Sequence, residues 1–152
     1  MNPPLPAVED ILPHRGDMLL LDQLLWSDAT RLTAQYRPRP DAWYIQPGGM
    51  PSWIGIELMA QAIAAHVGIQ KHAQGLPPKP GVLLGTRRYQ ATQGHFEPSQ
   101  LLQVLVERQY LDDSGLGAYD ARIESKGHTV AHATVKVFEP ANFSAFLKDT
   151  ST

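Results

Sequence analysis

The stretch that decides the fold is Met50–Lys71, with the sequence MPSWIGIELMAQAIAAHVGIQK. Pro51 suits the first position of a helix, where a missing N–H costs nothing, and most residues after it are strong helix formers. Apolar side chains cover most of the circumference, which is typical of a buried helix. The stretch is too short and too interrupted to span a bilayer, which takes about 20 strongly apolar residues. We therefore expect one long buried helix at the centre of the domain.

Two polar residues interrupt this apolar surface. Glu57 and Gln61 are four residues apart, so they lie on the same face of the helix. A buried carboxylate is costly unless it is paired, hydrogen-bonded or protonated, and a perturbed carboxyl group is typical of a catalytic acid or base. Two interpretations of Glu57 stay open: a structural pair at the helix end, or catalysis. Gln61 hydrogen-bonds Glu57 or positions a substrate, and its alternative role is to bridge two helices across an interface.

Composition limits the range of functions. A chain of 152 residues with 43% hydrophobic and 18% charged residues is expected to form one domain, 1–152, in which Met1–Pro6 is a flexible leader. The net charge of −2 gives no reason to expect nucleic acid or an anionic membrane as a partner. The absence of cysteine excludes disulfides, a thiolate nucleophile and cysteine-ligated metal. The N-terminus lacks the pattern of a signal peptide, so we expect a cytoplasmic protein without membrane insertion.

Six segments carry the alternating or continuous apolar patterns of β-strands. Short turn sequences join most of them, which favours antiparallel pairing. The expected fold class is α+β, with a six-stranded antiparallel β-sheet wrapped around one long central helix. Short helices are also expected at Val8–Leu12 and Asn142–Lys148. The predicted strands are Met18–Trp26, Arg31–Tyr36, Gly81–Tyr89, Leu101–Leu111, Gly117–Ser125 and Val130–Phe138.

Short motifs occur at intervals along the chain. They are LPHR at 12–15, MP at 50–51, ELMAQ at 57–61, GTRRY at 85–89, and Pro98 with Leu101. These motifs resemble those of the hot-dog-fold 3-hydroxyacyl-acyl carrier protein dehydratases, over a span from about Ile11 to Phe138. Their form is most similar to the divergent dehydratase type of aryl polyene lipid pathways. The resemblance implies the hot-dog fold.

One departure from that family concerns its catalytic histidine. Housekeeping members carry a His-Phe-Pro-Gly motif fourteen residues ahead of the helix glutamate, and its histidine is their catalytic base. Trp43 occupies that position here, and no histidine lies between Asp41 and Ser52. Either another histidine has taken the role or the chain is a non-catalytic relative. His14, in the LPHR motif, is the candidate base, and bracing of the N-terminal turn is its alternative role.

The other histidines are weaker candidates. His66 comes nine residues after Glu57, on roughly the opposite side of the helix, and we expect it in the core or at an interface. The helix-end and turn positions of His72, His95 and His128 predict solvated side chains. No pair has the spacing of a zinc-binding His-Glu-x-x-His helix, so we expect no metal site.

The resemblance implies dehydration of a 3-hydroxyacyl-acyl carrier protein thioester to the trans-2-enoyl thioester, in fatty acid or polyene-type lipid biosynthesis. The two proton transfers would fall to Glu57 and His14. Gln61 and the start of the helix at Trp53 and Ile54 would bind the substrate, the latter through unsatisfied N–H groups. Arg88, with other arginines, would form a basic rim for the carrier. No cofactor is expected, because the substrate is carried on phosphopantetheine.

Partners and alternative functions complete the expectations. We expect an acyl carrier protein as partner and a homodimer, or a heterodimer with a related hot-dog subunit. The apolar strand Gly81–Tyr89 is the candidate edge for joining two sheets. Two alternatives stay open: an acyl thioesterase of the same fold, in which Glu57 activates water or attacks the thioester, and a non-catalytic subunit that partners an active dehydratase.

Overall fold

The computed structural model describes residues 5–73, 75 and 82–138. In chain order the elements are α1 (Val8–Ile11), a 3₁₀ turn (Gly16–Met18), β1 (Gln23–Ser27), β2 (Arg31–Tyr36), β3 (Met50–Pro51), α2 (Ile54–Ala73), β4 (Val82–Ala91), β5 (His95–Phe96), β6 (Leu102–Leu111), β7 (Leu116–Ser125) and β8 (His128–Phe138). Within the described ranges, six strands form one antiparallel sheet in the order β1-β2-β6-β7-β8-β4, and β3 pairs with β5. This arrangement, with one long helix, confirms the predicted α+β architecture.

The long helix α2 packs against the sheet through buried apolar side chains, and a glycine lets a second element approach it. Leu58, Met59 and Ala62 are fully buried against the strands. Gly68 lets α1 approach α2, because a Cβ there would lie 2.5 Å from the Ile11 side chain. Close packing of this kind fixes where the segment after α1 can lie.

The start of α2 differs from the prediction. The helix begins at Ile54 rather than Pro51, because Met50 and Pro51 pair with Phe96 and His95 as a two-stranded ladder. Gly49 precedes this ladder with φ +114° and lies against the Phe96 carbonyl, a position with no room for a side chain. His95–Phe96, between two predicted strands, therefore forms a short strand that the local sequence does not reveal.

The first strand is also shorter than predicted. A strand was expected over Met18–Trp26, whereas β1 begins at Gln23 and Met18 ends a 3₁₀ turn. The backbone N–H groups of Leu20 and Leu21 donate to the side chain of Gln61 instead of a neighbouring strand. A long-range side-chain contact therefore replaces sheet pairing at these residues.

The chain ends bear on two other expectations. Leu5 packs against the hydrophobic core, and residues 1–4 of the predicted leader lie outside the described residues. The predicted helix at Asn142–Lys148 lies outside the described residues. Across the described ranges, no helix combines the length and apolar character that spanning a bilayer requires.

His66 lies in the core, as expected, and is fully buried. The Asp28 carbonyl, 3.1 Å away, can only accept, so His66 Nε2 carries the proton. Nδ1 then accepts from the Tyr119 hydroxyl at 2.8 Å. Desolvation by burial lowers the pKa of His66, because the charged imidazolium is disfavoured there.

We predict that His66 makes stability depend on pH. Because its pKa is lowered in the folded state, the unfolded chain binds more protons below the ordinary histidine value of about 6.5. The free energy of unfolding should therefore fall as the pH falls through that value. We expect the free energy of unfolding, measured by urea denaturation, to fall more between pH 7.5 and pH 5.5 in the wild type than in His66→Gln. Equal differences would contradict the assignment.

Candidate active site

Glu57 lies in the first turn of α2, on a face of the helix that the sheet leaves open. Its side chain is 40% exposed, so the expectation of a helix buried all round is wrong on this side. The half-buried positions recur every three or four residues and form one stripe along the helix. The stripe comprises Ile56, Glu57, Ala60, Ala64, Val67 and Lys71.

His14 lies beside Glu57 in the same chain. Its Nε2 atom is 3.7 Å from Glu57 Oε1, with 26% of the histidine side chain exposed. That separation is longer than a hydrogen bond. The guanidinium of Arg15 donates to the carbonyls of Leu12 and His14, both at 2.6 Å. These bonds close the turn that carries His14.

Gln61 joins three parts of the site through one buried amide. Its Oε1 accepts the N–H of Leu20 at 3.0 Å and that of Leu21 at 3.4 Å. Its Nε2 donates to the Met18 carbonyl at 2.6 Å and to Glu57 Oε1 at 3.1 Å. An amide has two donors and two acceptor sites, and all four are used. The amide cannot be reversed, because the two backbone N–H groups can only donate.

Three atoms of the pair have no hydrogen bond among the described residues: His14 Nε2, which lies 3.7 Å from Glu57 Oε1, His14 Nδ1 and Glu57 Oε2. Among the described residues, His14 Nδ1 is buried and has no partner. The hydrogen bonds of the same residues use Glu57 Oε1 and leave Oε2 available. Oε2 is therefore the oxygen that can interact with a bound molecule.

The remaining predicted site residues lie in different surroundings. Trp53 is exposed, one helical turn ahead of Glu57, whereas Ile54 is buried in the core. Arg88 is exposed on the edge strand β4, at a bulge where its φ is +56°. Within the described ranges, no hydrogen bond or ion pair links Arg88 to His14 or Glu57. The structure thus brings together His14, Glu57 and Gln61 of the six predicted residues.

The start of α2 retains free donors. Ser52 N–H donates to the Gly94 carbonyl and Gly55 N–H to the Ser52 carbonyl, both at 2.9 Å. The N–H groups of Trp53 and Ile54 have no hydrogen-bond partner among the described residues. Unsatisfied donors of this kind attract negative charge.

Two exposed residues that were not predicted as site residues are linked to the pair through Asp17 and Gln61. Trp43 is 57% exposed and Met18 is 58% exposed, and the exposed fraction of Trp53 is similar at 59%. The indole of Trp43 donates to the Asp17 carbonyl at 3.1 Å, and the next residue, Met18, binds Gln61. Trp43 occupies the position at which housekeeping members of the family have their catalytic histidine. That position is the one sequence feature that could have identified Trp43 as a residue near the site.

The remaining histidines lie away from the pair. His72 and His128 are exposed, as predicted. His95 is half-buried rather than solvated, and its Nε2 lies 2.9 Å from Gln46 Oε1. It supports the loop before α2, with Gly48 packed against its ring.

Fold and site together define a hot-dog protein with a carboxyl group and an imidazole side by side at its long helix. One similar structure is the dehydratase heterocomplex ApeI:P from Xenorhabdus doucetiae, 22% identical, covering 96% of this chain and 98% of that chain, with a TM-score of 0.88. Another is a mutant of the phenylacetic acid degradation protein PaaI from Thermus thermophilus, which is 17% identical, covers 77% of this chain and 91% of that chain, and has a TM-score of 0.60. A third is a hypothetical thioesterase protein with coenzyme A from Streptococcus pneumoniae, which is 15% identical, covers 76% of this chain and 83% of that chain, and has a TM-score of 0.60.

The sequence defines the family. A family model described as ApeP-like, ApeP dehydratase, matches residues 6–148. The chain therefore belongs to the ApeP-like dehydratase family, which confirms the resemblance to hot-dog dehydratases of the aryl polyene type. Among curated protein sequences, none matches the chain.

We predict that Gln61→Met lowers the free energy of unfolding by at least about 2 kcal/mol, because it leaves the buried N–H groups of Leu20 and Leu21 and the part-buried carbonyl of Met18 unsatisfied. Urea denaturation measures this change. The control is Gln70→Met on the same helix, whose amide makes one exposed bond to the Ala29 carbonyl at 3.2 Å. That change should cost about 1 kcal/mol or less. Equal losses in the two variants would contradict the role of Gln61.

Proposed function

We propose that the chain dehydrates a 3-hydroxyacyl-acyl carrier protein thioester to the trans-2-enoyl thioester, in fatty acid or polyene-type lipid biosynthesis. The observation that carries the proposal is the His14–Glu57 pair, with 3.7 Å between Nε2 and Oε1, in a member of a dehydratase family. Both groups reach the same small volume, as a reaction at two adjacent carbons requires.

The chemistry needs three elements. A base removes the proton on C2, an acid protonates the departing C3 hydroxyl, and donors hold the negative charge that develops on the thioester oxygen. Proton transfers by side chains suffice, so the proposed reaction uses no metal or organic cofactor. The acyl chain arrives on the phosphopantetheine of its carrier protein.

Substrate binding is assigned to the surroundings of the pair. In this proposal Gln61 holds the Glu57 carboxylate, and the free N–H groups of Trp53 and Ile54 bind the thioester oxygen. The exposed indole of Trp53 contacts the acyl chain. Arg88, exposed on β4, interacts with the acidic surface of the carrier or with its phosphate.

A second hot-dog subunit is proposed to complete the site. The related Xenorhabdus doucetiae structure is a dehydratase heterocomplex. In this chain, β4 lies at an edge of the sheet, and an exposed edge is a natural site for pairing. The exposed side chains of Met18, Trp43 and Trp53 form apolar surface of the kind that interfaces cover. A homodimer or a heterodimer with a related subunit would bury it. An acyl carrier protein substrate would be met in the cytoplasm.

We predict that Glu57→Gln reduces dehydration by about two to four orders of magnitude, which is the usual contribution of a general acid or base. Glu97→Gln, at an exposed carboxyl group elsewhere, is the matched control and should retain wild-type activity. The assay follows loss of water from a 3-hydroxyacyl-acyl carrier protein by mass spectrometry, with the chain alone and mixed with a candidate hot-dog partner. Light scattering of the same samples gives the oligomeric state.

Three outcomes would contradict the proposal. Release of free carrier thiol without an enoyl product would indicate a thioesterase. Absence of turnover at every acyl length, alone and with the partner, would indicate a non-catalytic subunit. A strictly monomeric mass at micromolar concentration in an active sample would remove the need for a second subunit.

A further inference from the structure

The two nitrogens of the His14 imidazole have different surroundings. Nε2 lies 3.7 Å from Glu57 Oε1. Nδ1 is shielded from solvent and has no hydrogen-bond partner among the described residues. A neutral imidazole carries its proton on only one nitrogen, and the environment of each nitrogen decides which one.

Both environments favour the proton on Nε2. A proton on Nδ1 would be a buried donor without an acceptor, which native structures rarely contain. It would also leave the Nε2 lone pair near the negative Glu57 oxygen 3.7 Å away, whereas a proton on Nε2 places positive partial charge near that oxygen.

A base must present a lone pair to the proton that it takes. In the Nε2–H form, the only lone pair of His14 is on buried Nδ1, where a substrate does not reach it. Glu57 differs, because Gln61 occupies Oε1 at 3.1 Å and no hydrogen bond within the described ranges uses Oε2. The accessible lone pairs of the site therefore belong to Glu57.

We propose that Glu57 is the only proton carrier of the dehydration and that His14 is a neutral N–H donor; this inference rests on the proposed function. Glu57 Oε2 takes the C2 proton while the electron pair of the C2–H bond moves onto the thioester oxygen. The pair then returns to form the C2=C3 double bond, and the C3–O bond breaks with its own electrons leaving on the oxygen. The departing hydroxyl takes the proton from Glu57, which releases one water and restores the carboxylate.

His14 stays neutral throughout this cycle. Its Nε2–H donates to the thioester oxygen and stabilises the negative charge that develops there, as donors of an oxyanion hole do. The free N–H groups at the start of α2 supply donors for the same oxygen. His14 is therefore a catalytic residue by contact with a reacting atom, although it transfers no proton.

The kinetic test compares two substitutions of His14 in the dehydratase-active assembly. His14→Gln keeps an N–H donor near the position of Nε2 but has no basic nitrogen, and it should retain activity within about tenfold of the wild type. His14→Ala removes the donor and should lower kcat by about 10²- to 10³-fold, the usual loss for one oxyanion-hole donor. Equal inactivity of both variants would overturn the proposal, because it would show that His14 is the base. Wild-type activity of His14→Ala would overturn the donor role.

The spectroscopic test does not depend on turnover. Long-range ¹H–¹⁵N correlation on the ¹⁵N-labelled wild-type chain distinguishes the two neutral tautomers and the imidazolium, with His14→Gln identifying the His14 signals. We expect the Nε2–H tautomer at neutral pH. An Nδ1–H tautomer or an imidazolium would overturn the inference whether or not the chain is active. If the wild type shows the Nε2–H tautomer but no dehydration, the proposed function is wrong. The role of His14 in dehydration is then wrong as well, although the tautomer assignment is correct.

Discussion

The buried amide of Gln61 is the interaction on which the rest of the site depends. One side chain satisfies the backbone at Met18, Leu20 and Leu21 and also binds Glu57. A buried amide is costly unless its hydrogen bonds are made, so the segment after His14 must lie against α2 in one position. The distance between His14 and Glu57 follows from that constraint, together with the packing of Ile11 on Gly68.

The same constraint determines which atoms remain for chemistry. Since Gln61 holds Glu57 Oε1, the carboxylate has one fixed oxygen and one available oxygen. The burial of His14 Nδ1 directs the other nitrogen toward the same place. Fixed polar groups of this kind need little reorganisation during a reaction. The indoles of Trp43 and Trp53 are exposed, and the proposed second subunit would cover them.

Local sequence patterns predicted most of the fold, and a family resemblance predicted the central pair. The long helix and the strands follow from the periodicity of apolar residues, and the LPHR and ELMAQ motifs pointed to His14 and Glu57. The errors occurred where long-range contacts outweigh local preference. Gln61 and Leu20 are 41 positions apart, so no local pattern could show that β1 begins only at Gln23. The pairing of Met50 with Phe96 displaced the start of the helix in the same way. The exposure of Trp43 depends on tertiary structure, which a sequence motif does not record.

A double-mutant cycle on kcat tests most directly whether Gln61 acts through Glu57. The four proteins are the wild type, Gln61→Met, Glu57→Gln and the double variant, compared where all are folded. If Gln61 positions the carboxylate, Gln61→Met should lower kcat by about 10- to 100-fold in the wild type and should cause no further loss in the Glu57→Gln background. The same fold-loss in both backgrounds would show that Gln61 and Glu57 act independently and would contradict the central role of the amide.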